Sequence, residues 1–157
     1  MKTVPEVAGR IEKLEIQGAT NIAISAVKAL SQELQDFDGS KEDMGSLLKN
    51  AIKMLVSSRA TEPMMRNGLR YIEAELTTQD PMSRESFKEI VSCVEERILG
   101  MYEGSIQRIM EIGAKRIKDG DVILTHCHSS AVTGTLLLAH EQGKKFKVIQ
   151  TETRPKY

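Results

Sequence analysis

Apolar residues recur at helical spacing through the first 118 positions of the chain, and beyond them the period changes. Val4, Val7, Ile11 and Leu14 stand three or four apart, with Pro5 suited to a first helical turn, so residues 4–15 predict a helix. Gln17-Gly18-Ala19-Thr20 interrupts it. Asn21 to Gln35 resumes the spacing through Ile22, Ile24, Ala26, Val27, Leu30 and Leu34. After a polar loop from Asp36 to Ser40, Ser40-Lys41-Glu42-Asp43 forms a relative of the capping box, with Asp where Glu is usual. The helix it opens carries Met44, Leu47, Leu48, Ala51, Ile52, Leu55 and Val56. Residues 57–63 break that helix, and Pro63 restarts one through Met64, Met65, Leu69, Tyr71 and Ile72. A second loop is predicted from Thr77 to Met82, around Asp80-Pro81. Ser83 then caps a long helix reaching about Lys118, with Phe87, Ile90, Val94, Ile98, Met101, Ile106, Ile109 and Ile112 as its apolar positions. That stripe drifts between heptad and 3.6 spacing, which suits packing on other helices better than a coiled coil. Gly100, Gly104 and Gly113 interrupt it and predict either close helix approach or a kink.

From Asp119 onward the chain reads as strand, helix, strand. Asp119-Gly120 signals a turn, and Val122-Ile123-Leu124-Thr125 is a short β-rich run of the kind buried in parallel sheets. Ser129 and Ser130 offer N-caps to the apolar segment Ala131–Ala139, and Gly143 stands where that helix stops. Residues 146–151 return to a two-residue period. The predicted class is therefore α/β: a helical domain over residues 1–118, then an incomplete β-α-β unit over residues 119–157. Two parallel strands and one helix leave both sheet edges open, so the sheet reads as unfinished and marginal.

Composition narrows the function. Lys+Arg and Asp+Glu both number 22, and no basic stripe stands out, which argues against direct nucleic-acid contact. No run approaches the length of a membrane span, and the N-terminus lacks the apolar core of a signal peptide. Cys93 and Cys127 show no disulfide spacing, so a cytoplasmic, reducing setting is expected.

Chemistry collects at two kinds of place. In open α/β sheets, ligands bind at the carboxyl ends of parallel strands beside helix N-termini, and Cys127 falls at that junction. It is either a thiol with a lowered pKa, aided by His126 or His128, or a small buried apolar residue. The two histidines have no second ligand group, so neither a metal nor a cofactor is expected. The joint at Gln17-Gly18-Ala19 reads as a tight turn between helices or as an anion site on free backbone N–H groups. Arg59, Arg66 and Arg70 cluster around a helix break, as solvated charges or as a phosphate clamp.

Taken together, several separated segments resemble one family. They are Ile16-Gln17-Gly18-Ala19, Ser58-Arg59-Ala60-Thr61, Glu111-Ile112-Gly113-Ala114, Thr125-His126-Cys127-His128-Ser129 after GDVIL, Glu141-Gln142-Gly143-Lys144, and Thr151-Glu152-Thr153-Arg154-Pro155. They look like the alpha, beta and delta subunits of translation initiation factor 2B, together with archaeal ribose-1,5-bisphosphate isomerase and 5-methylthioribose-1-phosphate isomerase. The resemblance covers almost the whole chain but only the N-terminal half of a family member. It implies a helical domain followed by a Rossmann-like domain, of which this chain holds the first β-α-β unit. It makes Cys127 the catalytic acid/base. Gln17, Gly18, Ala19 and Arg59 fall in its phosphate-binding loops, and Ser129 and Ser130 are further phosphate-binding candidates. The isomerases have an arginine where Gln17 stands and a proline where Ala60 stands, and their catalytic aspartate lies in the C-terminal half.

Two functions follow from the resemblance. One is a regulatory, initiation-factor-2B-like protein holding a sugar phosphate or nucleotide, with the initiation factor 2 alpha subunit as candidate partner; Gln17, Ala60 and the unmatched C-terminal half favour it. The other is part of a ribose-1,5-bisphosphate isomerase, inactive without its second acid/base group. Either is expected to form a homo-oligomer at full length. A helical scaffold without a ligand would leave the agreement of the separated segments unexplained.

Overall fold

The computed structural model describes residues 3–79 and 83–152, the side chains of Lys41 and Glu42 excepted. The Asp80-Pro81 signal and the Thr153-Arg154-Pro155 segment lie outside them. The chain divides into two compact units, one up to Gly100 and one from Met101. The division falls inside a long helix.

The first unit is helical, with α1 (Val4–Glu12), α2 (Ala19–Asp36), α3 (Lys41–Ser58), α4 (Pro63–Gln79) and the first half of α5 (Arg84–Arg116). Thr3 caps α1 in a full capping box with Glu6, and Pro5 sits in the first turn. α1 stops short of residue 15 because Leu14 turns left-handed at φ 58°, while Glu15 N–H and Ile16 N–H both bond back to Arg10 O. α2 is the element against which α1, α3 and α4 pack. It buries Ile22, Ala23, Ala26, Val27, Ala29, Leu30 and Leu34, and this alternation of large and small residues lets its neighbours approach closely. Ser40 caps α3 by accepting from Asp43 N–H, as the sequence predicts. α4 runs on through Thr77 and Thr78, where a loop was expected. Their hydroxyls donate to Glu73 O and Ala74 O, each at 2.7 Å, and so stay compatible with helical backbone.

In the second unit, β1 (Val122–Thr125) and β2 (Lys147–Gln150) pair in parallel, joined through α6 (Ser130–Glu141). The register places Val122 beside Lys147 and Thr125 beside Gln150. Asp119 and Asp121 tie the entry to β1: Lys145 N–H donates to Asp119 Oδ1 at 2.7 Å, and Lys118 N–H donates to Asp121 Oδ2 at 2.8 Å. α6 ends where expected, with Gly143 at φ 84° and its N–H on His140 O. Paired residues of a parallel ladder share a face. One face carries Val122, Leu124 and Ile149 at 62%, 71% and 56% exposure, so this apolar surface is bare in the described chain.

The stripe predicted along α5 enters the core only as far as Ile98. Phe87, Val94 and Ile98 are buried, together with Val91, which the predicted stripe did not include; Ile90 is only half-buried, and Met101, Ile109 and Ile112 are exposed. Of the α5 glycines, Gly113 marks a close approach. A Cβ there would come within 2.7 Å of Thr135 Cγ2 on α6, while at Gly100 and Gly104 it would meet nothing within 4 Å.

Candidate functional site

The loop joining β1 to α6 carries the thiol. β1 ends at Thr125, His126 follows, and Cys127 then adopts φ 65°, a left-handed conformation uncommon for a residue with a Cβ. The thiol is exposed, so the alternative of a small buried apolar residue does not hold. Two contacts from the end of β2 hold the loop. Gln150 Nε2 donates to Cys127 O at 3.5 Å, and His126 Nδ1 lies 2.6 Å from Thr151 Oγ1.

Ser129 and Ser130 begin the helix that follows. Ser129 is the N-cap of α6: its Oγ accepts from Val132 N–H, and its carbonyl accepts from Thr133 N–H at 2.9 Å. Ser130 is the first helical residue, and both serines are exposed. The sequence offered either serine as the cap, and the structure selects Ser129. With the N–H groups of residues 132 and 133 taken, those of Ser130 and Ala131 have no partner among the described residues and lie at a helix end whose dipole favours an anion. The thiol, the two serines and this helix end therefore share one short loop at the carboxyl edge of the sheet.

The remaining candidates belong to the first unit. Gly18, at φ 82°, is the N-cap of α2 with no side-chain cap bond, and Ala19 opens the helix. The first turn of α2 holds no acidic residue. Gln17 turns inward on its own chain: its Nε2 donates to Leu14 O at 2.8 Å, and its carbonyl accepts from Asn21 Nδ2 at 3.3 Å. The joint is thus a tight turn between helices, and it still leaves an uncapped helix N-terminus. Arg59 caps the C-terminus of α3, half-buried and with no ion-pair partner among the described residues. Gln17, Gly18 and Ala19 form one loop, with Arg59 at a separate helix end.

Gln150 and Thr151 entered the sequence analysis as part of the second strand, and Thr151 as the start of a family segment, but neither as a neighbour of the thiol loop. Their signal was available only as register: residues one step past paired positions at the ends of two parallel strands must lie side by side. From sequence His126 was an aid to the thiol and part of a family segment, and the structure gives it a partner in Thr151. Among the described residues no helix is long and apolar enough to cross a membrane.

Residues 15–157 match the family model of the Initiation factor 2 subunit family. The chain belongs to this family. It is 38% identical over 160 aligned residues to a ribose 1,5-bisphosphate isomerase of Thermococcus kodakarensis, covering 100% of this chain and 50% of that protein. It is 28% identical to the translation initiation factor eIF2B subunit delta of Schizosaccharomyces pombe, covering 94% of this chain and 33% of that one. Among solved structures it resembles the Pyrococcus horikoshii translation initiation factor eIF-2B with a TM-score of 0.79 at 26% identity, over 97% of this chain and 51% of that chain. The chain spans about half the length of the isomerases it matches.

Proposed function

We propose that this chain provides the thiol-bearing part of a sugar-phosphate site of the ribose 1,5-bisphosphate isomerase kind. The observation that carries the reading is the exposed thiol of Cys127, held left-handed at the carboxyl end of β1 beside the α6 N-terminus. Identities of 38%, 37% and 34% to ribose 1,5-bisphosphate isomerases, across essentially the whole chain, support it.

In this reading the sheet edge is the start of a Rossmann-like domain, with residues 1–118 as the helical domain before it. The N–H groups of Ser130 and Ala131 and the hydroxyls of Ser129 and Ser130 receive one phosphate. Arg59 and the backbone of Gln17, Gly18 and Ala19 are the further phosphate-binding candidates. Cys127 acts as an acid/base that takes a proton from the sugar or returns one to it. Converting an aldose to a ketose shifts a proton between adjacent carbons and needs two positioned acid/base groups. Cys127 is one. By resemblance the other is an aspartate in the half of the relatives that this chain does not match. The chain is therefore expected to bind the sugar bisphosphate, with turnover requiring that further half.

The test is calorimetric titration with ribose 1,5-bisphosphate, together with turnover by a version extended through the half found in the relatives. Binding by the chain, and turnover by the extended protein that disappears in Cys127→Ser, supports the proposal. Failure of the extended protein to convert the bisphosphate sinks the enzymatic reading. A regulatory role like that of the initiation factor subunits is the second reading. Gln17 favours it, since its amide is spent on Leu14 O and it carries no charge for a phosphate. In that case the bisphosphate binds without turnover, and a pulldown retains the initiation factor 2 alpha subunit.

A further inference from the structure

The parallel register pairs Thr125 with Gln150, so the next residues along each strand, His126 and Thr151, fall side by side at the carboxyl edge. The backbone continues the ladder one step further, with Thr151 N–H donating to Thr125 O at 3.1 Å. The side chains then meet, His126 Nδ1 to Thr151 Oγ1 at 2.6 Å. Gln150 spans the same gap to Cys127 O. Residues 150 and 151 thus pin His126 and Cys127, the first two residues of the loop that bears the thiol. The His126 ring is exposed, and its Nε2 has no hydrogen-bond partner among the described residues.

We infer that Thr151 is a positioning residue for His126, and that the Nε2 it leaves open meets a phosphate or hydroxyl oxygen of the sugar phosphate bound beside Cys127. The ligand half of this inference rests on the sugar-phosphate reading above; the clamp itself does not. A hydroxyl suits the task because it both donates and accepts. It bonds Nδ1 whether that nitrogen carries the proton or its lone pair, and it still accepts when the ring is protonated. The bond removes rotation of an otherwise exposed ring, so the ordering cost is met before the ligand arrives. Valine matches threonine in shape and lacks the hydroxyl, which makes the contribution separable from packing.

The experiment compares wild type, Thr151→Val, Thr151→Ser and His126→Ala in the full chain, with circular dichroism as the control for folding. The first readout is the pair of ring-nitrogen chemical shifts of His126 by NMR. They are expected to move toward those of a free imidazole in Thr151→Val and to stay at the wild-type values in Thr151→Ser. The second readout is affinity for ribose 1,5-bisphosphate, expected to fall about three- to tenfold in Thr151→Val and His126→Ala, and to return to within about twofold in Thr151→Ser. Ring shifts that are the same in wild type and Thr151→Val overturn the clamp. Altered ring shifts with unchanged affinity overturn the ligand contact. If wild type fails to bind the bisphosphate at all, the sugar-phosphate reading falls and takes the ligand contact with it, while the ring-nitrogen comparison still decides the clamp.

Discussion

At the scale of single residues, Cys127 holds the most unusual backbone of the loop. A side chain at φ 65° costs on the order of 1 kcal/mol that glycine does not incur. Cys127→Gly is therefore expected to stabilise the second unit by about 0.5–1 kcal/mol while abolishing alkylation at that position. Cys127→Ser abolishes alkylation without the gain. Urea unfolding and iodoacetamide labelling mapped by mass spectrometry separate the two. A second residue makes a pH statement. Burial pushes the Glu95 carboxyl above its ordinary range, opposed by the Ser31 hydroxyl and by Lys28. A carboxyl raised in the folded state binds its proton more readily there than in the unfolded chain. Its charge therefore detracts from stability once pH rises above the ordinary carboxylate value, and the loss is complete above the raised one. Glu95→Gln is expected to raise the melting temperature slightly at pH 7. That gain shrinks as the pH falls through the carboxylate range, and thermal scans across pH measure it.

Elements were legible in the sequence where apolar residues recur with a regular period. The apolar spacing of α1 to α4 placed each helix, and Val122–Thr125 placed β1 to the residue. The misses have physical causes. At Thr77 a loop was expected, and the threonine hydroxyls, bonded to their own helix carbonyls, fit the helix that replaces it. The stripe on α5 runs past Ile98 in sequence, but no described neighbour buries Met101, Ile109 or Ile112, and periodicity alone does not say what lies opposite. In the candidate site, Cys127, Ser129 and Ser130 were readable as candidates because they lie within four residues of one another in a strand-to-helix turn. Thr151 was not, since its meeting with His126 depends on register. Helix-to-helix contact carries a prediction of its own. Gly113→Ala places a methyl against Thr135, whose hydroxyl is tied to Ala131 O at 2.8 Å, and is expected to cost about 1–3 kcal/mol. Gly134→Ala meets the Met110 side chain from Cε back to Cγ, but that chain is flexible and swings aside, so the change should cost less than Gly113→Ala in the same denaturation experiment.

For the molecule as a whole, the two units differ in how much apolar surface they hide. The first seals Ile11, Ile22, Leu30, Leu34, Leu55 and Leu69 from solvent, whereas the second leaves Val122, Leu124 and Ile149 open. Hydrogen exchange is expected to follow that difference, with amides of residues 148–151 exchanging faster than those in the middle of α2. Protection of the β2 amides equal to that of α2 contradicts the expectation. The bare face also has a consequence for handling. With formal net charge zero and a pI near 6.8, the chain has little electrostatic repulsion to keep such faces apart in neutral buffer. Its solubility should pass through a minimum near neutrality, and sulfate should salt it out readily. A more alkaline buffer, or one lysine in place of Leu124, should return it to solution.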